Sequence, residues 1–157
     1  MSIEIERKFL VKNLNFKTES FKKNYIKQGY LNADKNRTVR VRISDDNAFI
    51  TVKGKSNAEG TSRFEWEKEI PVSEAKELML LCEPSLIEKH RYLVIKGKHT
   101  FEVDEFLGDN RGLIVAEVEL NSENENFEKP NWLAKEVTGE LKYYNSSISK
   151  NPFKNWI

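Results

Sequence analysis

Apolar and polar residues alternate with a period of two along most of the chain up to residue 120. Side chains two apart on a strand point to the same side, so this alternation predicts strands with one apolar and one polar face. Eight such stretches stand out, at 3–11, 26–31, 38–44, 48–53, 63–70, 86–95, 100–106 and 113–120. Turn-forming clusters separate them, among them Asp45-Asp46-Asn47, Lys96-Gly97-Lys98 and Gly108-Asp109-Asn110. The mostly short links predict an antiparallel meander, folded as a sandwich or a closed barrel. Helical signals are few. Residues 73–82 follow Pro71, offer Ser73 as an N-cap, and place Ala75, Leu78, Met79 and Cys82 on one face. Residues 122–128 open with a Ser122–Glu125 capping box, and a short helix is expected at 18–24. Segment 121–157 reads as helical or irregular, and residues 1–157 as a single domain.

Charge changes this picture. Charged residues make up 32% of the 157 positions, and the 26 Lys and Arg nearly cancel the 25 Asp and Glu, for a net charge of +1. That content lies above the usual quarter. The balance gives no bulk attraction to nucleic acid or to an anionic membrane, so neither partner is expected. No apolar run reaches the roughly 18 residues of a membrane span. The chain is charged from Glu4 onward, which is no secretory signal, so a cytoplasmic protein is expected. The lone Cys82 excludes an intrachain disulfide framework and a cysteine-rich zinc site.

The charges are sorted by strand. Carboxylates pair at i and i+2 in Glu4/Glu6, Glu65/Glu67, Glu102/Asp104 and Glu117/Glu119, and cations pair in Arg40/Arg42 and Lys89/Arg91. A solvated sheet face explains any one of these strands, but such faces ordinarily mix in Thr, Ser and Gln. Like charges spaced about 6.8 Å apart along a strand repel by about 0.6 kcal/mol in water, and by several-fold more in a cleft. A divalent cation suits the carboxylates and a polyanion suits the arginines and lysines. A concave surface rich in both suits a ligand that is itself metal plus phosphate. If the sheet closes, the charges line its interior and the apolar faces lie outside, under helices and loops.

These residues resemble a known family. Glu4-Ile5-Glu6-Arg7-Lys8 is similar to the Glu-x-Glu-x-Lys signature of the CYTH domain, the triphosphate tunnel metalloenzymes. Val39-Arg40-Val41-Arg42, Thr51-Val52-Lys53, Arg63-Phe64-Glu65-Trp66-Glu67, Glu88-Lys89-His90-Arg91, Glu102-Val103-Asp104 and Glu117-Val118-Glu119 resemble the successive tunnel strands, in order. Lys27-Gln28-Gly29-Tyr30-Leu31 and Trp132 are similar to the short bacterial members. The resemblance implies a mainly β (α+β) fold, an eight-stranded antiparallel β-barrel with a charged interior and a few helices packed outside. It implies a divalent-metal-dependent triphosphatase using Mg²⁺ or Mn²⁺, acting on inorganic triphosphate. Thiamine triphosphatase and adenylate cyclase are the alternatives within the family. A polyphosphate or nucleotide sensor is the non-enzymatic one, and a homodimer stays open.

The chemistry assigns expected roles. Glu4, Glu6, Glu117 and Glu119 are expected to hold the metal, since hard oxygen ligands suit Mg²⁺. Lys8, Arg40, Arg42, Lys53, Lys89 and Arg91 are expected to cradle phosphates. Glu6, Lys89 and Tyr30 are expected to act in catalysis, with Arg63 a weaker candidate. Glu65, Glu67, Glu102 and Asp104 are expected to steady the basic residues, orient water or form a second metal site. Gly54-Lys55-Ser56 lacks the preceding glycine and the following helix of a phosphate loop, since Phe49 stands where the glycine belongs. His90 and His99 lack catalytic or metal partners at suitable spacing. Trp132, Phe153 and Trp156 are expected to cover the apolar backs of strands.

Overall fold

The computed structural model describes residues 2–156. Its strands are β1 (Ile3–Val11), β2 (Lys22–Asn32), β3 (Arg37–Ser44), β4 (Asn47–Gly54), β5 (Ser62–Ile70), β6 (Ile87–Lys96), β7 (His99–Phe106), β8 (Ile114–Glu119) and a short β9 (Leu133–Glu136). The sheet runs β5-β4-β3-β2-β6-β7-β8-β1-β9, and β1 also pairs with β5. Every pairing is antiparallel.

Closure depends on β1 being long enough to serve three neighbours. Its first half pairs with β5, with Ile3 opposite Phe64 and Ile5 opposite Ser62. Its middle pairs with β8, with Glu6 opposite Glu119 and Lys8 opposite Glu117. Its end takes β9, with Phe9 opposite Glu136, past a register shift between Phe9 and Val11. Eight strands thus close into a barrel and β9 extends β1 beyond it, so no long edge is left for another chain to pair with.

The outward faces bury the apolar half of the alternation. Phe9, Phe101, Val103, Ala116 and Val118 pack with Trp132 and with Phe16 of α1 (Phe16–Glu19) in one cluster. Val41 and Ala48 pack under Ala75 and Met79 of α2 (Val72–Met79) in another. Fully burying side chains of this size contributes about 1.5–3 kcal/mol each. On the same outer side Arg7 forks onto Glu136, Nε and Nη2 donating at 2.8 and 2.6 Å, and ties β1 to β9.

The inward face divides in two. Towards one end it is charged, as expected. Towards the other, the inward positions that follow Lys8, Lys89, Asp104 and Glu117 are Leu10, Ile87, Phe106 and Val115. These residues form a third apolar cluster with Tyr143 and Ile148, the latter wholly buried. The C-terminal segment carrying α3 (Asn145–Lys150) therefore stoppers the barrel at this end. Phe153 and Trp156 pack onto that stopper rather than onto strand backs, whereas Trp132 covers a strand back as expected.

Several local expectations are corrected. The helix expected at 18–24 is the shorter α1. Phe16 is drawn into the core against Tyr92 and Trp132, and the Phe21 N–H bonds to the Leu93 carbonyl, so the chain turns extended and β2 starts at Lys22. In α2 the N-cap position is Pro71, not Ser73, with no side-chain capping bond. The helical bonding then tightens to i→i+3 through Cys82, which packs half-buried under the same cluster. Residues 122–128 form no helix. The Glu125 carboxylate instead accepts from the Asn121 N–H and pairs with His99, which competes with a capping box. The 121–157 segment also holds strand β9, which was not expected.

Candidate active site in the barrel lumen

The charged end of the lumen encloses a cavity of about 160 Å³. Alternation along each strand delivers its walls. β1 supplies Glu4, Glu6 and Lys8, and β3 supplies Arg40 and Arg42. Lys53 comes from β4, Arg63, Glu65 and Glu67 from β5, Arg91 from β6, Glu102 from β7, and Glu117 and Glu119 from β8. Tyr30 from β2 completes the strand-borne set. Lys89 and Asp104 are completely or almost completely buried and stand behind this wall, joined by an ion pair of 2.8 Å.

On the basic side, cations outnumber the acids that answer them. Asp104 accepts two parallel bonds from Arg91, Nε at 2.8 Å and Nη2 at 2.9 Å, and also serves Lys89. These cations outweigh burial and hold the Asp104 carboxyl far below the usual range. Burial and the neighbouring Arg40 and Arg91 push Arg42 down to about 9. Burial, opposed by Asp104 but aided by Arg91 and Arg42, brings Lys89 down to about 7. Arg40 donates from Nη2 to Thr51 at 3.1 Å, while its buried Nε has no partner among the described residues. An unpaired buried donor costs about 1–3 kcal/mol, so this N–H calls for an acceptor.

On the acidic side the imbalance has the opposite sign. Burial and the charges of Glu117 and Glu4 push Glu6 up to about 8. Burial and Glu4 likewise raise Glu65 to about 7. Glu119, at the exposed rim, is raised by partial burial, then by Glu4 and Glu102. Glu4 is held down because Lys53 lies 3.0 Å away, which outweighs burial. Glu117 is held down by Lys8 at 3.7 Å together with Arg91 and Lys89, against burial. Among the described residues, no three His, Cys, Asp or Glu side chains converge at metal-ligand spacing.

The sequence pattern missed four polar groups of the site. Thr51 bridges Arg40 to Glu67, donating to its Oε2 at 2.7 Å. Gln28, wholly buried, accepts from Arg42 Nε at 2.9 Å. Both share a face with predicted residues, Thr51 with Lys53 and Gln28 with Tyr30, and that was the available signal. Tyr144 and Asn145 come from the C-terminal segment, where no periodicity marks them. The Tyr144 ring lies 4.6 Å from Lys8 Nζ and 5.4 Å from the Arg63 guanidinium carbon. His90 faces outward beside Tyr25, as expected, and Ser56 meets the Tyr144 hydroxyl at 3.3 Å.

A closed antiparallel barrel whose lumen carries segregated acids and bases defines a class of polyanion-binding tunnel proteins. The comparisons agree: the CYTH domain matches residues 2–151, and the chain belongs to that family. It is 49% identical over 157 residues to an inorganic triphosphatase of Acetivibrio thermocellus, covering 99% of each chain. It is 34% identical to an inorganic triphosphatase of Nitrosomonas europaea, over 93% of this chain and 96% of that one. Among solved structures, the crystal structure of the inorganic triphosphatase NE1496 superposes with a TM-score of 0.64 at 31% identity, covering 95% of both chains.

Proposed function

We propose that this chain hydrolyses inorganic triphosphate to diphosphate and phosphate with the help of a divalent cation, Mg²⁺ or Mn²⁺. The observation that carries the reading is the paired imbalance of the lumen. One wall has cations pressed to lose protons and an orphaned Arg40 N–H, and the facing wall has carboxylates pressed to keep protons. A cation–polyphosphate complex relieves both at once. The relatives named inorganic triphosphatase support it.

The donor set fits such a cation. All four carboxylates are hard oxygen ligands, and Mg²⁺ keeps several waters and shares phosphate oxygens, so it asks for only one or two protein carboxylates. One or two of Glu4, Glu6, Glu117 and Glu119 would hold it, and when bound it supplies charge neutralisation on the phosphate oxygens. Lys8, Arg40, Arg42, Lys53, Arg63 and Arg91 grip the phosphates, the arginine forks matching pairs of oxygens. Phosphoryl transfer asks mainly for this positioning and charge compensation. Water attacks the terminal phosphorus, the P–O anhydride bond breaks, and diphosphate leaves. Glu65 lines the cavity with a proton affinity near neutrality, which supports it as the group that takes the water's proton. Tyr30 lines the cavity beside the cationic wall, and Lys89, buried behind it, has a similar affinity.

Among the described residues, the cavity is lined by charged side chains with only Tyr30 and Asn145 besides, and no apolar side chain lines it to take a base. That lining suits an inorganic anion better than a nucleoside. The same reading assigns the enzyme to the cytoplasm, in keeping with the free Cys82. It treats the chain as one functional unit. The outward apolar row Ile3, Phe64 and Trp66, 51%, 39% and 44% exposed, is the face on which a homodimer would form, which sedimentation tests. The deciding experiment is phosphate release from inorganic triphosphate, thiamine triphosphate and ATP with each divalent ion. The fastest turnover is expected on inorganic triphosphate and none in chelator. Cyclic AMP formation from ATP as the dominant activity, or tight binding without turnover of any substrate, would overturn the reading.

A further inference from the structure

The strands supply every described residue that lines the cavity except Asn145, which comes from the C-terminal segment next to Tyr144, whose ring lies beside Lys8 and Arg63. Asn145 is the first residue of α3 and lines the cavity. Its Oδ1 accepts two bonds, from Gln28 Nε2 at 2.9 Å and from Lys89 Nζ at 2.9 Å. Both partners are wholly buried behind the wall.

The orientation of this amide follows from the ends of the chain of bonds. Arg42 can only donate, and so does Lys89 in the charged form that pairs with Asp104. Arg42 Nε therefore requires the oxygen of Gln28, which it meets at 2.9 Å, and so turns the Gln28 NH₂ group towards Asn145. Gln28 Nε2 and Lys89 Nζ, both donors, then require the oxygen of Asn145. Flipping Asn145 would set N–H against N–H at both of its contacts, and flipping Gln28 would set N–H against N–H at Arg42 and oxygen against oxygen at Asn145. The Asn145 oxygen is thus committed to the rear of the wall. Its Nδ2 diverges from that oxygen by the amide geometry and has no partner among the described residues.

We propose that Asn145 is a substrate-binding residue of the phosphate grip: its side-chain NH₂, turned into the lumen by Gln28 and Lys89, donates to a phosphate oxygen. The inference rests on the triphosphate reading above. It makes the C-terminal segment part of the site as well as the stopper of the barrel. It also gives the buried Gln28 a function, because Gln28 aligns the donor at one end and the Arg42 guanidinium at the other.

Two substitutions separate a donor from a mere prop for Lys89. Asn145→Asp keeps the shape and the acceptor for Gln28 and Lys89 but removes the NH₂ group. Asn145→Leu removes donor and acceptor without adding charge, and Asn145→Ala replaces it if the leucine variant lacks a cooperative melt. The readouts are KM and kcat for inorganic triphosphate with Mg²⁺, the Kd of triphosphate by calorimetry, and the ligand-free melt. A hydrogen-bond donor to a charged oxygen is worth about tenfold or more in affinity. Both variants are therefore expected to raise KM and Kd by at least that factor, with a smaller change in kcat, and Asn145→Asp to melt as the parent does. A normal KM in Asn145→Asp would reduce Asn145 to a prop. A normal KM in Asn145→Leu would show that only added negative charge matters. Either result overturns the proposal. A parent protein that binds triphosphate without hydrolysing it would fail the catalytic reading while the Kd comparison still decides the role of Asn145. A parent that does not bind it removes both.

Discussion

Lys53 Nζ lies 3.0 and 3.1 Å from the two carboxylate oxygens of Glu4, reaching across the lumen from β4 to β1 past the intervening β5. In the ligand-free protein each neutralises the other. A cation–triphosphate complex has to part them, drawing Glu4 to the metal and Lys53 to a phosphate. Lys53→Met should therefore tighten Mg²⁺ binding in the absence of triphosphate and raise KM for triphosphate about tenfold, the scale of one lost charge-assisted bond. Calorimetric metal titration and steady-state kinetics check this. Unchanged metal affinity would remove Glu4 from the ligand set.

Glu6→Gln and Arg42→Ala should each abolish metal-dependent turnover and leave the fold intact. Burial with Glu117 and Glu4 holds Glu6 at about 8, so it carries a proton at neutral pH when no cation is bound. Glutamine imitates that form, and the ligand-free melt should shift by less than about 1 kcal/mol. Turnover at the parent rate in both variants would dismantle the assignment of the site.

Lys89 predicts a pH dependence with a definite sign. Burial, opposed by Asp104 but aided by Arg91 and Arg42, lowers it from 10.5 to about 7. Between these values the unfolded chain binds more protons than the folded one, so stability rises with pH across that window. Below about 7 both states are protonated and the slope vanishes. Lys89→Met should lack this slope. Denaturant unfolding of both proteins should show the difference growing in favour of the parent by up to about 1 kcal/mol per pH unit. A constant difference would mean that Asp104 keeps Lys89 charged throughout.

Gly60 lies in the loop between β4 and β5, against Gly139 and Tyr144. It has φ +77°, and a Cβ there would stand 2.3 Å from the Gly139 Cα and 3.2 Å from the Tyr144 hydroxyl. Gly60→Ala should cost about 1–3 kcal/mol from the backbone strain. It should also raise KM, because the displaced contact positions Tyr144 over Lys8 and Arg63. Thermal melts and kinetics of this variant measure both effects, and a variant with normal stability and KM would show that the wall is not held there.

Ile148 tests the stopper. It is wholly buried in the apolar end of the barrel. Ile148→Ala should destabilise by about 2–4 kcal/mol, as cavity-forming substitutions do. Because Asn145 lies on the same short helix, KM should rise as well. Chemical denaturation alongside kinetics checks both, and a loss of stability with unchanged KM would separate the stopper from the site.

Strand positions and the polar sorting of their faces were legible because a pleated strand writes its two environments into alternate residues. The inward placement of Glu4, Glu6, Lys8, Arg40, Arg42 and Arg91 followed from that rule once the sheet was known to close. Helix boundaries were less legible. The capping pattern at Ser122 and Glu125 lost to His99 and the Asn121 N–H, partners distant in sequence or outside the pattern. The short helix expected at 18–24 lost to the exposed backbone of β6, which offered Phe21 a bond to Leu93.

By itself, the sequence determined which residues share a face and that the like charges along each strand need neutralising, since alternation and like-charge spacing are local properties. The tertiary structure decided which acids answer which bases. It alone set Lys89 and Asp104 behind the wall, turned half of the inward face apolar, and brought Asn145 from the far end of the chain onto Gln28 and Lys89. Those outcomes depend on barrel closure and on contacts between residues more than fifty positions apart, such as Lys89 and Asn145. No periodicity within a strand encodes them.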